Sequence, residues 1–137
     1  MKTCKERINA MYRERMKDLT TLLNNYYAGT INDDLGDLFD YGLSFDYAMP
    51  EHGKPYFCYQ LSWGGPADEF RFYAYKNQTG WQLERVEYWF LDWFDSAHKV
   101  IATGRNFGML NDLFQLFDEM GTLDSVSKNT ISVLEDY

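Results

Sequence analysis

Histidine and cysteine are scarce, with two of each in 137 residues, and that scarcity bounds the chemistry. A catalytic hydroxyl or thiol needs a base held beside it. His52 falls in a Pro/Gly-rich turn and His98 in a charged stretch beside Lys99, so both read as surface histidines. Cys4 and Cys58 lie far apart and match no metal-ligand spacing. They read as reduced thiols of a cytoplasmic protein, with Cys58 a small residue in or near the core. Long apolar runs are missing too. Nothing approaches the roughly 18 residues that a membrane-spanning helix requires, so no membrane partner is expected. The N-terminal MKTCKERINAMYRERM interleaves charged and apolar residues and does not read as a secretory signal. Trp63-Gly64-Gly65-Pro66 is not a phosphate loop, because no helix start with Lys and Ser/Thr follows it. No cofactor is expected.

Basic residues are absent from one whole stretch. Residues 31–51 carry Asp33, Asp34, Asp37, Asp40, Asp46 and Glu51 with no Lys or Arg among them. The net charge is −8, yet residues 1–17 hold six basic side chains against Glu6 and Glu14. The other 120 residues therefore carry seven basic and nineteen acidic groups. A second acidic region, residues 106–137, sets Asp112, Asp118, Glu119, Asp124, Glu135 and Asp136 against Lys128 alone. Phosphates demand a basic surface, so direct nucleic-acid binding is not expected. A basic macromolecule is the better match. The plainer reading, that acidity keeps an aromatic-rich chain soluble, stands beside it. Disorder is excluded by the 18% aromatic content, since disordered chains lack the large apolar groups that offset ordering entropy.

What is present divides by period. Thr3 and Glu6 have the spacing of a capping box, and Ile8, Met11, Tyr12, Leu19, Leu22, Leu23 and Tyr26 follow at helical spacing to Gly29. A helix is predicted from about Lys5 to Tyr27, and Leu35, Leu38 and Phe39 suggest one further short turn. From Leu43 the period becomes two. Leu43, Phe45, Tyr47 and Met49 alternate with polar residues, as do Phe57, Tyr59, Leu61 and Trp63, then Phe70, Phe72 and Ala74. Asn77–Gly80 reads as a four-residue hairpin loop. Gln82–Leu91 forms a further strand, with Val86, Tyr88 and Phe90 opposite Arg85, Glu87 and Trp89. Asp95–His98 reads as a bend into a short edge strand. After Gly104, apolar residues from Phe107 to Met120 mark another helix ending at Gly121, and Leu123, Val126, Ile131 and Leu134 a weaker third. The expected fold is α+β in one domain: an antiparallel meander of four to five strands, a long N-terminal helix and C-terminal helices.

Few constellations suggest catalysis. Asp33, Asp34 and Asp37 could gather a hard cation but lack the spacing of a calcium loop. Asp92 and Asp95, with Glu87 upstream, could form a glycosidase-like carboxylate pair, which calls for a pocket lined by Trp63, Trp89 and Trp93 around a carboxyl of raised pKa. The run Glu87–Asp95 reads mainly as core, with alternate aromatics left exposed beside carboxylates as a protein-binding surface. Dense carboxylates on a rigid scaffold can occupy a DNA-binding cleft in place of phosphates. The residues expected to meet a partner are Asp33, Asp34, Asp37, Asp40, Asp46, Glu51, Asp92, Asp95, Asp118 and Glu119.

The segments LSWGGPADEFRF (Leu61–Phe72) and EYWFLDWFDSA (Glu87–Ala97) resemble those of small acidic proteins carried by phages and plasmids. Proteins of that kind include inhibitors of host-defence nucleases, notably anti-CRISPR and antirestriction proteins. The resemblance implies a non-enzymatic inhibitor in the bacterial cytoplasm that binds a basic nucleic-acid-binding protein or nuclease complex. The basic N-terminal helix departs from a uniformly acidic mimic, points to a localised acidic patch, and leaves a homodimer open. Two other readings stand: an immunity or antitoxin-like partner of a toxin, and a small hydrolase or ligand-binding domain built on Asp92, Asp95 and the Trp63–Pro66 turn.

Overall fold

The computed structural model describes residues 2–135. Helix α1 spans Cys4–Ala28. Its N-terminus is closed by Thr3, whose Oγ1 accepts from the Glu6 backbone N–H and donates to Glu6 Oε1. It ends at Gly29, where the left-handed conformation (φ 73°) lets the next amide turn back onto the Asn25 carbonyl. Ile8, Tyr12, Met16, Leu19, Leu22 and Leu23 recur at three- and four-residue steps and form its buried ridge. A 3-10 turn over Leu38–Asp40, capped by the Asp37 carboxylate, leads into the sheet.

The sheet has five strands: β1 (Ser44–Ala48), β2 (Tyr56–Ser62), β3 (Ala67–Asn77), β4 (Gly80–Asp92) and β5 (Asp95–Ile101). They pair antiparallel in sequence order, as a meander. Helices α2 (Gly104–Glu119) and α3 (Thr122–Glu135) complete the chain. The class is α+β, as the change of period predicts.

Alternation decides the core. Phe57, Tyr59, Phe70, Phe72, Val86, Tyr88 and Phe90 point to one face and meet Tyr12 of α1 and Leu113, Phe114 and Phe117 of α2. Each fully buried Phe or Leu contributes roughly 1.5–3 kcal/mol of hydrophobic stabilisation before chain entropy is set against it. Asp68 lies under α1 on this same face. It accepts from Arg15 Nε (2.7 Å) and a second Arg15 nitrogen (3.0 Å), from Tyr88 Oη (2.6 Å) and from Ser62 Oγ. A buried carboxylate is tolerated only with such full pairing.

Several local expectations are corrected. Asp95–His98 is strand rather than bend, because β5 pairs with β4 all the way to Asp92. The β3–β4 loop is two residues, Gln78–Thr79, with Asn77 Oδ1 accepting from the Thr79 amide. Leu43, Met49 and Trp63 leave the alternating pattern and are exposed at strand ends. Cys58 sits on the face away from the core, where its thiol donates to Glu69 Oε2 (3.2 Å). Burial and the Glu69 charge push that thiol up, so it is held protonated. Both cysteines are free.

Candidate functional site

Three surfaces are candidates. The first is the sheet end where the β2–β3 and β4–β5 connections meet. The β4–β5 hairpin turns over Trp93 and Phe94, closed by the cross-strand pair Asp92 and Asp95. Trp93 has φ 56°, a left-handed conformation uncommon for a bulky residue. Its indole lies over Gly65, where a Cβ would stand 3.2 Å from Trp93 Nε1. Glycine there lets the loop and the hairpin approach. Gly64, Gly65, Ala67, Leu91 and Trp93 line a cleft of about 530 Å³. Around it Trp63 is 67% exposed, Trp93 89%, and Phe94 fully exposed. Exposed apolar side chains grouped in this way make the sheet end a candidate for binding.

The carboxylates beside this end are already engaged. Arg7 donates to Asp92 Oδ2 at 2.7 Å. Asp95 Oδ2 accepts the Cys4 backbone N–H at 2.8 Å, at the positive end of α1. That hydrogen bond holds the Asp95 carboxyl below its ordinary range. Asp92 and Asp95 therefore anchor the hairpin to the helix. Trp89 lies elsewhere, stacked on His98 at 4.4 Å on the open sheet face, so the three-tryptophan pocket is not formed. Glu87, Asp95 and Asp124, the acids with a resolved shift, are all shifted down.

The second surface is an acidic lobe at the opposite end of α1. Asp33, Asp34, Asp37 and Asp40 lie on the loop and 3-10 turn that follow α1, whereas Asp46 stands on β1 on the face of Cys58 and Glu51 in the β1–β2 connection; all six are exposed, and none has an ion-pair partner among the described residues. Asn32 Oδ1 accepts from the amides of Asp34 and Leu35, which shapes the loop. A smaller cleft of about 260 Å³ lies between Leu22, Tyr26, Ile31 and Leu38, with Asp37 on its wall. Tyr27, Ile31 and Leu43 are exposed in the lobe. The last turn of α1 holds no basic residue, so the helix's partial negative charge adds to the carboxylates. Glu119 is exposed nearby, and burial, then the charges of Asp112 and Glu119, push the Tyr27 phenol up. Asp118 is half-buried and accepts from the Trp81 amide at 3.3 Å. Asp136 and the side chain of Glu135 lie outside the described residues.

The third surface is the open face of the sheet. Arg71 pairs with Glu69 (2.7 Å) while its guanidinium lies over the rings of Trp89 (4.0 Å) and Tyr56 (4.9 Å). Arg85 pairs with Glu87 (3.1 Å) over Tyr73 (3.9 Å). Trp89 Nε1 donates to Glu87. Burial raises the Glu87 carboxyl, but these donors outweigh it and hold it low. Both arginines are thus stacked and paired within the protein.

Among the described residues, no three His, Cys, Asp or Glu side chains gather to hold a metal ion, the cluster around Asp33 included. No helix among the described residues is long and apolar enough to cross a membrane. Sequence reasoning read the run from Glu87 to Asp95 mainly as core, with alternate aromatics exposed, and grouped Trp63 and Trp93 with Trp89; the structure exposes Trp63, Trp93 and Phe94 and sets Trp89 apart. The pattern Asp-Trp-Phe-Asp between two strands is the signal that a tight turn could expose them. The arrangement defines a two-layer α+β protein with one helix-covered and one open sheet face, an acidic lobe and an aromatic end. No known family, curated protein or solved structure matches the chain.

Proposed function

We propose that the protein acts by binding, and that its acidic lobe docks on and occludes the basic surface of a nucleic-acid-handling protein, as an inhibitor of a host-defence nuclease would. One observation carries this reading: the six carboxylates of residues 31–51 all face solvent without a cation. The neutralising arginines Arg7, Arg15, Arg71 and Arg85 are instead engaged with Asp92, Asp68, Glu69 and Glu87. Carboxylates at this density stand where phosphates would lie in a basic cleft. Tyr27, Ile31 and Leu43 supply apolar anchors that a purely electrostatic contact lacks.

The test is a pull-down from bacterial lysate, washed at about 0.1 and 0.5 M salt, followed by charge reversal. A basic nucleic-acid-binding protein should be retained at low salt and weakened at high salt. Asp33→Lys with Asp37→Lys should slow its association severalfold while circular dichroism stays unchanged. Unchanged binding after reversals across the whole lobe would sink the reading.

A further inference from the structure

We propose that the cleft between the end of α1 and the loop after it receives one arginine side chain of a basic partner protein, an inference that rests on the acidic-lobe reading for the source of that side chain. At about 260 Å³ the cleft is smaller than the roughly 300 Å³ at which pockets for whole small ligands begin, so it suits a single side chain. Leu22, Tyr26, Ile31 and Leu38 give it apolar walls for an aliphatic stem. Gly29 and Gly36 line it with bare backbone, and nothing stands within 4 Å of where a Cβ on either would lie. Tyr26 is 42% exposed, and Tyr27 and Phe39 meet its ring at 67° and 88°, so neither stacks on it. No cation lies over that ring among the described residues. A planar guanidinium, which stacks on aromatic rings, suits this wall better than an ammonium. Asp37 supplies the carboxylate. Its Oδ1 accepts the Phe39 amide, which orients the side chain and leaves the other oxygen without a partner among the described residues.

The charge around the cleft selects the same occupant. Asp33 and Asp34 lie between Ile31 and Gly36 of its wall, and Asp40 lies one 3-10 turn beyond Asp37. Asp112 and Glu119 of α2 are near enough for their charges to act on Tyr27. No basic residue occupies the last turn of α1, so the partial negative charge of the helix end is uncompensated. The cations closest along the helix are Lys17 and Arg15. Lys17 stands eight residues before Asn25, about 12 Å along the axis, with Asp18 as its neighbour. Arg15 is taken by Asp68. Lys76 and Lys128 act instead on Asp124. Asp33, Asp34, Asp37, Asp40, Asp112 and Glu119 therefore outweigh Lys17, and the balance favours a cation in the cleft.

The experiment is an amide-resolved NMR titration of the full chain with an end-blocked peptide, one central arginine flanked by alanines. Peptides with lysine or the uncharged isostere citrulline at the centre, and free spermidine, are titrated alongside. The arginine peptide should shift amides between Leu22 and Leu38, with a dissociation constant on the order of 1 mM that weakens at about 0.5 M salt. The citrulline peptide should bind about tenfold more weakly, and the lysine peptide severalfold. Asp37→Asn keeps the cap on Phe39 but removes the charge, and should cost about three- to fivefold. Asp46→Asn makes the same charge change on the open face of β1 and should leave binding within about twofold. Tyr26→Leu should abolish the preference for arginine over lysine. Amide spectra unchanged outside the cleft show that a variant keeps the fold. No cleft shifts at up to about 20 mM peptide overturns the proposal. So does equal binding of citrulline, lysine or spermidine, or an equal loss for Asp37→Asn and Asp46→Asn. Cleft shifts that grow with protein concentration alone would seat a second copy there and overturn it too. An arginine response with nothing retained from lysate sinks the acidic-lobe reading alone, and a retained partner with no cleft response sinks this inference alone.

Discussion

Asp68 and Glu69 are neighbours in β3, and strand alternation sends them to opposite faces of the sheet. Asp68, 1% exposed, lies beneath α1 with Arg15, Tyr88 and Ser62 around it. Glu69 is also nearly buried, yet no helix covers it, and Arg71, Cys58 and the Arg71–Trp89 stack shield it. Both acids have an arginine at 2.7 Å. They differ in what replaces a lost partner. Under α1 nothing can, because packed helix excludes water. On the open face solvent can enter as soon as a long side chain is trimmed. Equal bond lengths thus conceal unequal consequences, and exposure alone does not report which pair holds the fold.

The largest expected effect is on the covered side. Arg15→Met leaves the Asp68 charge buried without its partner and should cost about 3–5 kcal/mol in urea unfolding. Adding Asp68→Asn should recover a good part of that loss. A cost below about 1 kcal/mol for Arg15→Met would mean that Tyr88 and Ser62 suffice for the carboxylate.

Alkaline pH should come next. Burial, with a hydrogen bond to Asp18 opposing the one from Arg15, pushes the Tyr41 phenol up to about 12 from its ordinary 10.0. Burial and the bond to Asp68 raise Tyr88 as well. The folded state keeps these protons after the unfolded chain has lost them. Stability is therefore fully present below pH 10, and falls as pH rises from there through about 12. Tyr41→Phe should flatten that loss by about 1–2 kcal/mol, allowing for the partial exposure of the ring. An unchanged slope in pH-dependent unfolding would remove Tyr41 from the account.

The smallest effect belongs to the open face. Arg71→Ala breaks the Glu69 pair and the stack on Trp89, yet water can solvate Glu69, so the cost should be about 1 kcal/mol. A loss as large as that of Arg15→Met would collapse the distinction between the two faces.

Much of the fold was legible because its signals are short-range. The Thr3 cap, the Gly29 stop and the alternation of Val86, Tyr88 and Phe90 each depend on residues within a few positions. The same locality explains the misreadings. Asp95–His98 resembles a turn by composition, and only its ladder to β4 makes it strand. Cys58 has the strand position of a core residue but the parity of the open face. Of the candidate site, the acidic stretch could be read because its six acids are close in the chain, although the fold divides them between the loop after α1, the open face of β1 and the β1–β2 connection. The aromatic end could be read only in part, since a run of apolar residues does not say where a hairpin turns and so which rings it exposes.

The sequence alone therefore determined the class, the order of elements, which side chains share a face and where negative charge is dense. Tertiary structure decided which charges remain free. Arg15 meets Asp68 across 53 positions, Arg7 meets Asp92 across 85, and the Cys4 amide meets Asp95 across 91. The last two of those contacts turn Asp92 and Asp95 from an acidic site into an anchor, and leave Trp93 and Phe94 standing on it. Periodicity is a property of neighbours in the chain, whereas the charge a side chain presents depends on what the fold brings beside it.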